Sequence, residues 1–325
     1  MFTRRELLVI GAGSLISGAA IREALGQSSR PIFGGWLQIP GVSDNAPRAR
    51  AFSKAIKGAS EGRASVLWPI YERVTGKKFV PNDQESVGTC CGEAGTLGAQ
   101  FVSAVQIAEK KRPEEHKGPF SVEYTYATSR HEIGKDKIKR GDGSTGEWTA
   151  KSMQQYGLLP RDKYGNYDLR VHNGSLARRW GMPGVGAPDI LEPIAKKHPV
   201  KLAPLVESWA EAADCLAAGS PVLLCSSVGF NAVCDRQGFL THDRIWYHAM
   251  LLVGADRRKG KREGGCILNS WGSDWLVQRQ HELGTPAGGF WADARVIDKA
   301  IKQRDSYALS DFVGFRRRNL EYLLY

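Results

Sequence analysis

The chain lacks the closely spaced cysteine and histidine sets that hold metal ions. Its six cysteines stand at 90, 91, 215, 225, 234 and 266, scattered apart from one adjacent pair, so no metal site is read from them. A long basic arm is also missing. Lys and Arg outnumber Asp and Glu by 45 to 34 in 325 residues, but the excess lies in short runs such as EKKR and FRRR. That pattern reads as solvated surface and excludes nucleic acid as the expected partner. No internal repeat is present. What the chain does have is 42% apolar residues, enough for a real core in one large domain or two small ones.

The opening residues, MFTRRELLVIGAGSLISGAAIREALGQ, carry Arg4 and Arg5, then an apolar stretch, then a small-x-small pattern from Ala24 to Gly26. This is the layout of an export signal over residues 1–26, and the arginine pair resembles the twin-arginine class, whose cargo crosses the bacterial membrane folded. The apolar stretch is too short for a comfortable membrane span; the bland alternative is an anchor helix left uncleaved. LLVIGAGSLISG also imitates a nucleotide loop, but Ile16 stands where the third glycine belongs and no later βαβ pattern follows. The expected location is periplasmic or extracellular, with no stable membrane span after signal removal.

Residues 27–78 read as a linker or a short N-terminal, pro-like segment, rich in Pro, Gly and Ser up to Asn45. From Arg48 to Gly76 apolar residues recur at helical intervals, interrupted by Gly58, Gly62 and Pro69, which predicts two short helices. The clearest helix follows the cysteine pair, with Ala94, Leu97, Phe101, Ala104 and Ala108 on one face and Lys110, Lys111 and Arg112 at its negative end. Further helices are expected over Glu147–Tyr156 and Ser208–Ala218. PVLLCSSV, YHAMLLVGAD and GCILNSW read as buried strands. Helices first and strands later favour an α+β arrangement.

A thiol in the first turn of a helix feels unpaired N–H groups and the positive end of the dipole, which favour thiolate. A nearby imidazolium favours it further and completes a nucleophile for carbonyl carbon. His248 stands before the apolar run AMLLVGAD, at the expected end of a buried strand, and Asn269 ends the next apolar run. Two adjacent antiparallel strands would bring the Asn269 amide to the ring, where it fixes tautomer and plane, with Trp271 keeping water from that bond. His242, in the polar THDR segment, is the rival base. Cys90 read alone is a small buried hydrophobe.

QESVGTC, YHAMLLVG and ILNSWGSDW occur in this order, and together the sequence resembles the papain-like cysteine peptidases over roughly Phe79 to Trp291. The resemblance implies a two-lobed papain-like fold for residues 79–325, with a helical left lobe, an antiparallel sheet or barrel-like right lobe, and the active-site cleft between them. It implies Cys90 as nucleophile, His248 as acid and base, Asn269 as orienter and Gln84 as oxyanion donor. The implied activity is hydrolysis of peptide bonds in a peptide or protein substrate, by a monomer needing no cofactor. An amidase or acyltransferase acting on a non-protein amide such as a cell-wall peptide, and an inactive binding relative, are the alternatives.

The departures from the family pattern are specific. Cys91 replaces the usual tryptophan; it is expected to pack, with a redox role in protecting Cys90 as the alternative. The family's paired cysteines are replaced by Val87 and Ser144. The substrate-aligning glycines become Gly146 and Glu147, so backbone pairing with substrate is expected at Gly146, and Glu147 either shapes preference or is a solvated helix-start carboxylate. The long spacing from Cys90 to His248 implies an insertion, placed at Tyr164–Pro188.

Overall fold

The computed structural model describes residues 34–110, 116, 118–273, 275–276, 280–311 and 314–321. The export-signal reading of residues 1–26, and Lys111 and Arg112, lie outside the described residues. Eight α-helices are described: α1 (Trp68–Thr75), α2 (Cys90–Lys110), α3 (Val122–Thr128), α4 (Gly146–Gln155), α5 (Gly174–Trp180), α6 (Glu192–Ala195), α7 (Trp209–Ala217) and α8 (Ala294–Ile301). The strands are β1 (Ala64–Val66), β2 (Lys163–Tyr164), β3 (Tyr167–Asp168), β4 (Val222–Cys234), β5 (Phe239–Asp256), β6 (Gly264–Leu268), β7 (Gly289–Asp293) and β8 (Tyr307–Ala308).

Helix α2 is buried on nearly every side, from Cys90 through Val102, because it lies between the two halves of the fold, with α1, α3 and α4 against it on one side and β4 and β5 on the other. A helix apolar all round is a core helix. Its glycines permit that closeness: a Cβ on Gly95 would lie 2.9 Å from Thr149 of α4, and one on Gly98 2.6 Å from Leu309. Phe101 and Val105 are sealed in the main core, each contributing roughly 1.5–3 kcal/mol by leaving water.

The main sheet has six strands in the order β6-β7-β5-β4-β8, with β1 added to β5. β4 and β5 run antiparallel from Val222↔Leu252 to Cys234↔Leu240. β6 pairs antiparallel with both β5 and β7, and β7 returns parallel to the start of β5 at Phe239↔Trp291. Three strands that pair in a cycle close part of the sheet into a barrel-like wall. This is the α+β, two-lobed arrangement anticipated from the order of elements.

The stretch before α1 departs from expectation. Only the second of the two predicted helices forms as an α-helix; a 3-10 turn stands at Ala49–Ala51, and residues 54–62 are a run of turns. The Asp214 carboxylate on α7 holds them in place, accepting from the backbone N–H of Gly58 at 2.8 Å and of Ser60 at 3.0 Å, and from the Ser60 hydroxyl at 2.6 Å. A buried carboxylate with three donors outweighs local helix propensity. The stretch Tyr164–Pro188 holds α5 and all of the β2–β3 hairpin but Lys163, and packs Leu169 and Trp180 into a second small core with Tyr124 and Leu159.

Candidate active site

Cys90 is the first residue of α2 and is fully buried. β5 brings the histidine to it. The pairing of β5 with β4 shifts between Ser226↔His248 and Val228↔Ile245, and Tyr247 takes a left-handed backbone with φ 46°. This β-bulge re-aims the strand, and the chain passes from exposed residues at 241–245 to continuous burial from His248 onward. His248 therefore sits at a bend within a long strand, and not at a strand end as its sequence context suggested. The backbone N–H of Ala249 donates to Cys90 Sγ at 3.4 Å.

Asn269 follows β6 directly. Because Leu268 pairs with Leu251, its amide reaches the ring, and Asn269 Oδ1 lies 2.8 Å from His248 Nε2. An acceptor there places the proton on Nε2 and leaves Nδ1 for the sulfur. Nδ1 is buried and makes no hydrogen bond among the described residues, although the imidazole is close enough to pull the thiol's pKa down. Trp271 stacks on the ring, centroids 4.8 Å apart and planes 27° apart, and so covers the His248–Asn269 bond. The rival His242 is engaged elsewhere, by the Gly229 carbonyl at 2.9 Å and Lys299 at 3.0 Å.

Gln84 is buried beside these groups. Its backbone N–H donates to the Ser270 carbonyl at 2.9 Å, its side-chain oxygen accepts from the Ser270 hydroxyl at 2.7 Å, and its amide nitrogen donates to the Val87 carbonyl at 2.9 Å. One of its two N–H bonds is thus spent on Val87. The Cys91 thiol lies 3.5 Å from the Ser144 carbonyl and contacts both Cys225 and Cys90. Cys90, Cys91, Cys215, Cys225 and Cys266 are all buried free thiols.

Two expectations fail at the start of α4. Gly146 does not offer its backbone to a cleft; its N–H donates to Asp305 Oδ2 at 2.7 Å, and a Cβ there would lie 2.2 Å from the Asp305 carbonyl oxygen. Glu147 is buried, with its N–H on Asp305 Oδ1 at 2.9 Å and its carboxylate on Lys151 at 2.6 Å, so it is neither a solvated helix-start acid nor part of an open groove. The backbone that is paired across the cleft belongs to Ser144, two residues earlier.

Its partner is the N-terminal strap of residues 34–37. Ser144 donates to the Gly35 carbonyl at 2.8 Å and accepts from Leu37 at 2.8 Å, while Gly35 and Trp36 both donate to the Tyr247 carbonyl, at 3.1 and 3.0 Å. Glycines are required here. A Cβ on Gly35 would lie 2.5 Å from the Gly88 carbonyl oxygen and one on Gly34 2.6 Å from that of Tyr247. Tyr247, Trp36 and Asp305 were not found from sequence; Ser144 was noted only as the replacement of a paired cysteine, two positions from the glycine chosen.

Burial changes the chemistry of the thiol. With Cys90 and His248 both wholly buried, burial pushes the Cys90 pKa well above its ordinary value, Cys91 adds to the rise, and His248 opposes it without prevailing. Burial here works against the thiolate expected of a helix N-terminus.

No protein-family model matches the chain, and no curated protein matches its sequence. Solved structures do match. Xylellain, a cysteine protease from Xylella fastidiosa, superposes with a TM-score of 0.57 at 20% identity, over 87% of this chain and 98% of that one. Digestive procathepsin L2 from the larval midgut of Tenebrio molitor gives a TM-score of 0.51 at 14% identity, over 94% of this chain and 87% of that one. The chain has the papain-like cysteine protease fold, and identities this low speak for the fold alone.

Proposed function

We propose that the protein is a cysteine-type peptidase that hydrolyses peptide bonds in peptide or protein substrates through Cys90, His248 and Asn269. The observation that carries this is the 2.8 Å bond from His248 Nε2 to Asn269 Oδ1 on a ring whose neighbouring amide, Ala249 N–H, touches Cys90 Sγ. Such a ring can hold a proton on Nδ1 beside sulfur and deliver it to a leaving amine.

In the proposed cycle the Cys90 thiolate attacks the amide carbonyl. The oxyanion takes N–H donors from the Gln84 side chain and from the backbone at Cys90. His248 then protonates the departing amine as the carbon–nitrogen bond breaks. In the second half His248 takes a proton from water, hydroxide oxygen adds to the thioester, and the acid product leaves Cys90.

The strap of residues 34–37, bound to Tyr247 and Ser144 beside the site, supports reading the start of the 27–78 segment as a pro-like cover that withdraws before turnover, whereas β1 and α1 are built into the main sheet and core and stay. Residues 1–26 are proposed as the export signal and the mature protein as a monomer outside the cytoplasm. The rival reading, an inactive relative, draws on the complete burial of Cys90 and His248. The experiment that separates the two is peptide hydrolysis by the full chain and by Trp36→Ala, each with and without Cys90→Ala. Hydrolysis that needs Cys90 and rises when Trp36 is removed is the expected result; hydrolysis unaffected by Cys90→Ala ends the proposal.

A further inference from the structure

The side chain that the strap buries is Trp36. Its ring is 2% exposed and lies nearly parallel to Tyr247, with centroids 6.3 Å apart and planes 22° apart. It ends on a carboxylate, Nε1 donating to Asp305 Oδ2 at 2.7 Å. Asp305 is also 2% exposed. It accepts three more hydrogen bonds, from the Ser43 hydroxyl at 3.0 Å and the backbone N–H groups of Gly146 and Glu147 at 2.7 and 2.9 Å. Among the described residues no lysine, arginine or histidine pairs with it.

Two of those four donors belong to the N-terminal segment and two to the first turn of α4. When the segment withdraws, the amides of Gly146 and Glu147 still hold the carboxylate in place, with the acceptor positions of Trp36 and Ser43 turned toward the emptied seat. A cavity of about 370 Å³ already borders the seat, between residues 38–44 and Gln303–Asp305. Burial raises the Asp305 pKa to about 6 against the pull of its donors, so this is a group short of positive partners. A buried acceptor left without donors is costly, and an occupant that returns them is favoured.

We infer that the Trp36 seat is a substrate pocket and Asp305 its specificity determinant. In a peptide paired with Ser144 and Tyr247, it selects a side chain that ends in an N–H donor, as tryptophan, arginine and lysine do, over leucine or phenylalanine. Arginine can fill both vacated positions as a fork. The word substrate rests on the peptidase reading above; the pocket itself rests on the Trp36–Asp305 geometry.

The test uses the full chain carrying Trp36→Ala, which empties the seat, with Trp36→Leu made beside it as a bulkier variant without an N–H in case the alanine protein folds poorly. Calorimetry measures binding of N-acetyl-tryptophanamide, N-acetyl-argininamide and N-acetyl-leucinamide, and a peptide library measures cleavage by the same proteins. The expected result is roughly tenfold or greater preference for the donor-bearing side chains in both readouts, lost when Asp305→Asn is added. Equal binding of the leucine amide, or a preference that survives Asp305→Asn, overturns the pocket. Cleavage without preference and without amide binding overturns the pocket while leaving the peptidase reading intact. Selective, Asp305-dependent amide binding without any cleavage supports the pocket and removes the peptidase reading.

Discussion

Nε2 of His248 and Oδ1 of Asn269 lie 2.8 Å apart, and this one bond commits the other ring nitrogen to the sulfur of Cys90. Loss of the amide should free the ring to rotate and to change tautomer. Asn269→Ala is therefore expected to lower kcat on the order of tenfold to a hundredfold, less than removal of the general acid itself. Steady-state kinetics beside His248→Ala checks this; equal losses in the two variants would show that Asn269 does more than orient the ring.

Trp36 is held beside the site through its indole, on Asp305, as well as its backbone, on the Tyr247 carbonyl. Trp36→Ala is expected to raise the rate of peptide hydrolysis by the full chain roughly tenfold or more, because a hydrogen bond to a charged group and the burial of a large ring are both given up. An unchanged rate would mean that the segment is no cover.

Much of the site was legible because its signals are local. The apolar spacing of α2 and the thiol at its start lie within one segment, and β5 and β6 are neighbours in sequence as well as in space, so His248 and Asn269 could be paired from their positions alone. The bulge at Tyr247 could not, since it depends on how β4 registers against β5. Nor could the strap: Gly34 and Gly35 carry no periodic signal, and Trp36 meets Asp305 across 269 positions. Gly146 was assigned to the cleft because the resemblance sets a substrate-aligning glycine there, but the close approach it serves is to Asp305 beneath α4. The turns at 54–62 were read as helix because the Asp214 carboxylate that holds them lies more than 150 residues away.

The buried charge network behind α3 sets a pH dependence. Burial favours the neutral form of Glu123, but the hydrogen bond from His172 and the charges of Arg161 and His172 prevail and hold its pKa at about 2, below its ordinary 4.5. A lowered acid stabilises the fold above its unfolded pKa, and that stability is lost as pH falls from 4.5 toward 2. The full effect is about 3 kcal/mol. Burial disfavours the charged form of His172, yet the hydrogen bond to Glu123 and the charges of Glu93 and Glu123 raise its pKa above 6.5, so its share is present in acid and is lost as pH rises through the raised value. Glu123→Gln should lower Tm most near pH 5–6 and least near pH 2. A Tm difference independent of pH would contradict the assignment.

Cys91 packs against the Ser144 carbonyl, Cys225 and Cys90. Cys91→Ser is expected to change stability by about 1 kcal/mol and to recover activity with reductant to the same degree as wild type. Recovery confined to the wild type would instead assign Cys91 a redox part.

The most direct measurement is the pH dependence of alkylation by iodoacetamide, with the modified residue mapped, in the full chain carrying Trp36→Ala. Alkylation should fall on Cys90, with an inflection well below that of the covered wild-type thiol, and adding His248→Ala should move the inflection back up. Modification that misses Cys90, or a profile indifferent to His248, would contradict a sulfur and imidazole acting as a pair.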